Sequence, residues 1–513
     1  MRRIVTTAVA VALMGGALAA PAVATDDSRP GRPEAGSAQA WTVPGEQTAR
    51  GALATARRVA RGNALPRDPD MTMALRDLWR RKSELRGNDR QAAGALLARP
   101  SDGAADPEKF GYTVPEAAPV CNTRLCVHYV ATGTDAPPTP EWPGQSLAVV
   151  DSVWTTIVDQ LGYRAPLTDG VRGGSPLFDV YLKDLGNGLY GYCVPEKRVK
   201  KRTASGYCVL DNDFRVEQFP DATPEQNLLV TAGHEFFHAV QFAYDYGEDP
   251  WMAESTATWM EERIATDVND NRQYLGESQL YAPYVPLDTF SNSRSFQYGN
   301  WVFWEYLSTK YGIDIVQKAW QQAGSLKKDG GKYSITALQK ILKRKGGLKK
   351  VYASFVAGNL TPAVNYPEGA DYPYPKLVNG KRLSKHKGTK RFSRSVNHLA
   401  SASYLYVPGR GLSGRKWKLS VAVDGPAKRT SPSAVVVVHL RGGERQVRMV
   451  RLNHAGNGRT RVAFDRRKVA AVSVSLVNGS TRFSCGRGTL LACQGRAIDD
   501  KLRFSVTGRV TKK

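Results

Sequence analysis

The chain has 513 residues, of which 42% are hydrophobic and 23% are charged, and its formal net charge is +25 at pH 7. One hydrophobic core rarely serves a chain of this length, so two or three structural units are expected. After the N-terminal segment the sequence has no apolar run of about 20 residues, which argues against transmembrane helices.

Residues 1–24 have the pattern of a secretory signal peptide. A basic pair, Arg2 and Arg3, precedes an apolar run over 4–20, and small residues at 22–24 fit a cleavage site. No cysteine follows the apolar run as a lipid anchor would require. The sequence therefore predicts a secreted, extracellular protein.

Residues 25–110 are predicted to hold a disordered leader followed by a helical N-terminal region or a pro-region. Positions 25–45 are rich in Pro, Gly, Ala, Ser and charge, a composition typical of disorder. Over 46–99, apolar residues recur at helical spacing, for example in TMALRDLW. No processing site is evident, so both a retained and a removable helical region stay open.

Residues 111–370 alternate short strand and helix patterns, which predicts an α+β domain. Strands are expected at 125–130 and 178–182 with a helix over 146–161 between them, a hairpin from 189–194 and 206–210, and helices over 301–307, 313–322 and 335–342.

The chain has six cysteines, an even number in a protein predicted to reach an oxidising compartment. The pairing of shortest loops joins Cys121 to Cys126, Cys193 to Cys208, and Cys485 to Cys493. None of these pairs has the C-x-x-C spacing of a metal site, so disulfides are predicted, although other connectivities stay open.

The sharpest signal is His234-Glu235-Phe236-Phe237-His238, an H-E-x-x-H motif. Helical residues four apart share a face, so both imidazoles can bind one zinc ion while Glu235 reaches its water. Thr223 before Pro224, with Gln226 three residues later, predicts a capped start for this helix.

A catalytic zinc usually has three protein ligands and one open position. The next helix is expected to have Asp249 as its N-cap and Pro250 in its first turn. It places Glu254 among apolar and small residues, where an unpaired carboxylate would be costly. Glu254 is therefore the predicted third ligand. Glu261 and Glu262 are alternatives, but their charged surroundings predict a solvated face.

Two further residue groups have two interpretations each. Tyr298 precedes a helix and is a candidate donor to a developing oxyanion, or equally a packing aromatic. Asp211 and Asp213 could bind a calcium ion, or could form a turn after the preceding strand.

The segments HEFFHAVQFAYD and WMAESTATWMEE resemble the gluzincin branch of the H-E-x-x-H metallopeptidases, and in particular secreted bacterial metalloproteases of the MXAN type. The resemblance covers about residues 70–310. It implies a zincin-like domain over 111–370 with an edge strand above the cleft, and Glu254 as third ligand.

The predicted function is a secreted zinc endopeptidase that hydrolyses peptide bonds of a protein or peptide substrate, with Glu235 as general base. Two alternatives are a zinc-containing surface-binding protein or adhesin without turnover, and a zinc hydrolase of cell-wall amide bonds. The intact Glu235 argues against the first alternative.

Residues 371–513 differ in character from the rest. They contain 31 Lys and Arg against 6 Asp and Glu, which accounts for the whole excess charge. After a Tyr, Pro and Lys-rich linker near 364–395, short strand patterns predict a basic β-sandwich-like domain. Such a domain could bind an anionic cell-wall polymer or polysaccharide, or simply be soluble, and the charge indicates no specific nucleic acid.

Overall fold

The computed structural model describes residues 48–512, except 66–68, 103–105, 107, 109, 187, 292–293 and 326–332. The predicted signal peptide and disordered leader lie outside the described residues. The described part of the chain is a mixed α and β structure. Its helices are α1 (Ala49–Ala60), α2 (Met71–Arg81), α3 (Gly87–Leu96), α4 (Trp142–Trp154), α5 (Pro224–Asp245), α6 (Pro250–Ile264), α7 (Phe296–Gly299), α8 (Trp301–Tyr311), α9 (Asp314–Ala323), α10 (Ser334–Leu342), α11 (Leu348–Asn359) and α12 (Pro362–Asn365).

A five-stranded sheet forms the centre of the first part. Its strands are β1 (Val120–Cys121), β2 (Leu125–His128), β3 (Phe178–Lys183), β4 (Gly191–Arg198) and β5 (Ala204–Asp211). Their order is β1-β2-β3-β5-β4, with β2, β3 and β5 parallel and the edge strands β1 and β4 antiparallel to their neighbours. The predicted strands and the predicted hairpin are confirmed.

Helices cover both faces of this sheet. Alternate strand residues point to opposite faces, so the sheet contributes to two clusters of buried side chains. One cluster joins the sheet to α1, α2 and α3 and includes Tyr181, Tyr192 and Tyr207. The other joins the opposite face to α4, α5 and the later helices. Strand β4 therefore lies at the edge of a three-layer arrangement.

The C-terminal part contains two facing sheets. Its strands are β6 (Asn379–Leu383), β7 (Thr389–Val396), β8 (Ala400–Pro408), β9 (Trp417–Asp424), β10 (Pro432–Leu440), β11 (Arg445–Met449), β12 (Asn457–Ala463), β13 (Val469–Asn478), β14 (Phe483–Ser484), β15 (Arg496–Ala497) and β16 (Leu502–Lys512). One sheet has the order β11-β10-β13-β8-β6, the other β12-β9-β16-β7. Residues from both sheets share one buried cluster.

The expected linker over 364–395 is wrong in part, because it includes β6 and most of β7. Both strands are rich in exposed Lys and Arg, and these positions obscure the alternation from which strands are predicted. The buried positions are few, namely Leu383, Phe392 and Val396.

The two parts are in close contact. The cluster around α5 continues into Leu399, Val477 and Ala492 of the C-terminal part. The Asp288 carboxylate accepts a hydrogen bond from the Ala492 N–H at 3.0 Å and contacts the His398 ring at 2.9 Å. Buried polar contacts thus join the C-terminal sheets to the helical part.

Three disulfides are present, Cys121–Cys126, Cys193–Cys208 and Cys485–Cys493, which confirms the predicted pairing. Cys193 and Cys208 face each other across β4 and β5. Among the described residues, no helix combines the length and apolar composition needed to cross a bilayer.

Candidate metal centre

Helix α5 carries both histidines, and its start is fixed as the sequence predicts. Thr223 accepts a hydrogen bond from the Gln226 N–H, and the Gln226 side chain accepts one from the Thr223 N–H. This reciprocal cap satisfies two backbone donors that the helix itself cannot. His234 and His238, four residues apart, lie on one face of α5.

Helix α6 brings Glu254 to the two histidines. Asp249 is the N-terminal residue expected before α6, but its carboxylate does not cap the helix. It instead accepts hydrogen bonds from the Ser334 N–H and hydroxyl and from the Cys493 N–H. The predicted helix start is thus correct, whereas the expected capping contact is wrong, because tertiary partners take the carboxylate.

The three predicted ligands converge. His234 Nε2 lies 3.2 Å from one Glu254 oxygen, and His238 Nε2 lies 3.4 Å from the other. Ligand atoms about 2.0–2.1 Å from a tetrahedral zinc are separated by about 3.3–3.4 Å, so both distances fit. His238 Nε2 and the Glu254 oxygen that faces it, Oε1, are both buried, and neither has a hydrogen-bond partner among the described residues. The arrangement therefore has the donor chemistry and the spacing of a metal centre.

Hydrogen bonds at the Nδ1 atoms orient both imidazoles. His234 Nδ1 lies 2.6 Å from Glu261, and His238 Nδ1 lies 2.9 Å from Gln241. The Gln241 amide in turn donates to the Ala253 carbonyl of α6. Such contacts leave each Nε2 directed at the site and are typical of metal-binding histidines.

The predicted solvated face of α6 is wrong. Glu261 and Glu262 are 5% and 4% exposed. Glu261 contacts the Nδ1 atom of His234, and Glu262 accepts a hydrogen bond from Asn271 at 2.7 Å. Their charged neighbours in sequence suggested exposure, but the helix is covered on this side by the segment after it. Glu261 is thus a supporting residue that the sequence did not reveal.

The ionisable groups at the centre shift one another's pKa. Burial opposes a charged His234, but its hydrogen bonds with Glu254 and Glu261 outweigh this effect and raise its pKa well above the usual range. Burial likewise opposes ionisation of Glu254, yet the His238 and His234 imidazoles lower its pKa to about 2. A carboxylate that stays ionised amid two imidazoles is suited to bind a cation.

Glu235 lies beside this centre. Its side chain is 7% exposed and lines a cavity of about 290 Å³ that also contains His234, His238 and Glu254. Burial raises the pKa of Glu235, and the two histidines oppose that rise. The Thr72 hydroxyl contacts a Glu235 oxygen at 3.2 Å. A carboxylate of raised pKa in a cavity can accept and return a proton.

Tyr298 also lines the cavity, with its ring centre 6.0 Å from that of His234. Burial raises its pKa well above the usual range, so the hydroxyl stays protonated. Tyr274, which sequence reasoning missed, packs against it with tilted rings whose centres are 5.2 Å apart, and lines the same cavity. Both phenols are therefore available as hydrogen-bond donors at this site.

The start of the edge strand β4 contributes to one wall of the cavity, through its first residue, Gly191, and residues 188–190 before it. A Cβ atom at position 191 would lie 2.9 Å from the Thr231 side chain and 3.0 Å from the Glu235 side chain. Only glycine therefore lets β4 pass this close to α5. Asp70 and Thr72 also line the cavity. The sequence did not point to these two residues, which come from the N-terminal helical region.

Another cluster, Cys126 with His128 and Asp179, has ligand-type atoms within reach of one another. Cys126 is held in a disulfide, and Asp179 forms an ion pair with Arg99, so these groups already have structural partners. This cluster does not have the free donor atoms that a metal would need.

The Asp211 carboxylate accepts hydrogen bonds from the N–H groups of Phe214, Asp213 and Leu185. Asp213 accepts one from the Arg215 N–H. These contacts form a turn after β5, which was one of the two expected interpretations. They already engage the Asp211 oxygens that a calcium ion would need.

Comparisons with known proteins give little beyond this geometry. A family described as being of unknown function (DUF6055) matches residues 220–343, a span that includes α5 and α6. No curated protein matches the chain. One solved structure, of the family GH115 4-O-methyl-α-glucuronidase BtGH115A with specificity for decorated arabinogalactans, aligns at 9% identity and a TM-score of 0.14. That alignment covers 56% of this chain and 38% of the glucuronidase.

Proposed function

We propose that this protein is a secreted zinc metallopeptidase of the gluzincin type, with a zincin-like catalytic part. The observation that carries the proposal is the convergence of His234, His238 and Glu254 at zinc-like spacing, with Glu235 in the same cavity. The antiparallel edge strand β4 beside α5 supports the zincin-like assignment.

A zinc ion held by His234, His238 and Glu254 would supply a Lewis acid for the attacking water and for the scissile carbonyl. Glu235 accepts the proton of the water and passes it to the leaving amine, a role that its raised pKa favours. The Tyr298 hydroxyl, protonated and in the cavity, donates a hydrogen bond to the developing oxyanion.

Strand β4 offers a place for the substrate backbone. The Tyr190 carbonyl accepts from the Asp211 N–H, whereas the Cys193 N–H donates away from β5 to Thr72. Because backbone groups alternate along a strand, Gly191 directs its N–H and carbonyl to the same side as Cys193. Gly191 lines the cavity, so an extended peptide can pair with it beside Glu235.

The experiment that tests the proposal compares zinc content and hydrolysis of casein or peptides in wild type, Glu235→Gln and Glu254→Ala. We expect one zinc per chain and activity in wild type, zinc without activity in Glu235→Gln, and weakened zinc binding in Glu254→Ala. Unchanged zinc affinity in Glu254→Ala would contradict its assignment as a ligand.

The same measurement separates the alternatives. Stoichiometric zinc with no hydrolysis in wild type would favour a zinc-containing adhesin. Hydrolysis of cell-wall amides but not of casein, lost in Glu235→Gln, would favour the amide hydrolase. The buried, cavity-lining position of Glu235 supports an enzyme over a binding protein.

For the C-terminal part, we propose binding to an anionic cell-wall polymer. A groove between the edge strands β11 and β12 is lined by Lys418, Arg448, Arg461 and Lys512. Among the described residues, no carboxylate lines this groove. Clustered cations without nearby anions attract polyanions, in a manner that salt weakens.

Binding to polyphosphate and to polyglutamate, measured at increasing salt, tests this assignment and distinguishes phosphate from carboxylate partners. Arg448→Gln with Arg461→Gln should weaken binding and reduce its salt dependence. Arg391→Gln is the control, because Arg391 lies on β7, at the edge opposite to β12 in the same sheet, does not line the groove, and pairs with Asp424. Equal losses in both variants would contradict a specific groove.

A further inference from the structure

The N-terminal helices form a structural layer of the catalytic part. Helices α1, α2 and α3 pack on the face of the five-stranded sheet opposite to α5. Their buried cluster includes sheet residues Tyr192 on β4 and Tyr207 on β5, which are 2% and 0% exposed. Without these helices, one whole face of the sheet would be exposed to water, at a large cost from the hydrophobic effect.

Polar contacts attach the same layer to the sheet and to the metal-binding helices. Arg99, which follows α3, is buried and forms ion pairs with Asp179 and Glu196 of the sheet. The Arg76 guanidinium of α2 donates to the Glu248 carbonyl at 3.0 Å, in the connection between α5 and α6. Helix α2 thus supports the two helices that carry the proposed ligands.

The start of α2 also enters the cavity. Asp70 caps this helix by accepting a hydrogen bond from the Met73 N–H at 2.8 Å, which fixes the position of Thr72. The Thr72 oxygen accepts from the Cys193 N–H of β4 at 3.0 Å. Because that contact uses a lone pair, the single hydroxyl proton is directed at Glu235, 3.2 Å away.

We propose that Thr72 is a positioning residue for Glu235, and that the α1–α3 layer is a permanent part of the active enzyme and not a removed pro-region. The inference rests on the proposed function. The Thr72 hydroxyl holds the Glu235 carboxylate against β4, so that its second oxygen faces the cavity and the attacking water. A propeptide that leaves would take this contact with it.

The experiment compares wild type with Thr72→Val, which removes the hydroxyl at nearly constant shape, and with Thr72→Ser, which keeps it. Thr48→Val is the control, since Thr48 caps α1 and does not line the cavity. We expect kcat to fall about 10- to 100-fold in Thr72→Val, with KM and zinc content unchanged. Thr72→Ser should recover most of the loss.

Two further readouts do not depend on turnover. Hydrogen exchange at the Cys193 amide should speed up in Thr72→Val but not in Thr72→Ser or Thr48→Val, because only Thr72→Val removes its acceptor. Mass spectrometry of the secreted chain should show that it begins before position 48. A secreted chain that begins after Ala49, or unchanged kcat and exchange in Thr72→Val, would overturn the proposal.

Failure of the proposed function can be recognised separately. If wild type hydrolyses neither protein nor peptide, the peptidase assignment fails. The exchange at Cys193 and the N-terminus of the secreted chain still decide whether Thr72 makes its contact and whether the layer is retained. If wild type is active and Thr72→Ser fails to restore kcat, the positioning role is wrong while the peptidase assignment stands.

Discussion

Removal of the Glu261 carboxylate should weaken binding of the proposed zinc ion without touching a proposed ligand. Glu261 lies 2.6 Å from His234 Nδ1, and both side chains are largely buried, at 6% and 13% exposed. A hydrogen bond to a charged partner contributes about 1.5–3 kcal/mol. Its loss in Glu261→Ala should raise the dissociation constant for zinc about 10- to 100-fold, the range typical for residues that orient metal-binding histidines.

Glu262→Ala is the matched control for this prediction. Glu262 is the next residue on the same helix and is equally buried, but its partners are Asn271 and Arg263 and not a proposed metal ligand. Competition with a chelator of known affinity, at one pH, gives the dissociation constant, and thermal unfolding reports stability. We expect Glu262→Ala to change zinc affinity less than about twofold. Equal loss of affinity in both variants, or none in Glu261→Ala, would refute the reasoning.

Two predictions concern stability. Arg99→Met should destabilise the protein by about 3–5 kcal/mol because it leaves buried carboxylates uncompensated. In the same denaturant titration, Arg172→Met, which removes an exposed partner of Glu196, should cost about 1 kcal/mol or less, and equal costs would contradict this view. Burial opposes charge on His398, but the neighbouring Asp288 and Asp500 carboxylates raise its pKa to about 10, above the ordinary 6.5. Its stabilising effect is therefore complete below pH 6.5 and lost as the pH rises through 10. The unfolding free energy of wild type should fall over that pH range, and a His398→Gln variant should lack this fall.

Local signals in the sequence predicted the elements that carry the site. The capping box at Thr223 and Gln226 depends only on residues three apart, so the start of α5 could be read directly. The shared face of His234 and His238 could also be predicted locally, because residues four apart lie on one side of a helix. Glu254 was predicted because burial of a carboxylate is costly without a partner.

Predictions failed where a side chain has a distant partner. Asp249 was expected to cap α6, but its carboxylate binds Ser334 and Cys493, which lie more than 80 residues away. Glu261 and Glu262 were expected to be solvated, because charged neighbours suggest a surface. In the C-terminal part, exposed Lys and Arg concealed β6 and β7, whose pairing with β8 and β16 decides that they are strands.

The sequence by itself therefore determined the helix of the H-E-x-x-H motif and the shared face of its two histidines, since both depend on short spacing along the chain, and it favoured the disulfide pairs of shortest loops without excluding others. Only the tertiary structure decided which residues surround the candidate ligands. Thr72 lies 163 residues from Glu235 in sequence and yet contacts its carboxylate, because α2 packs on the sheet beside β4. A contact of this kind arises from packing of layers, and no local pattern encodes it.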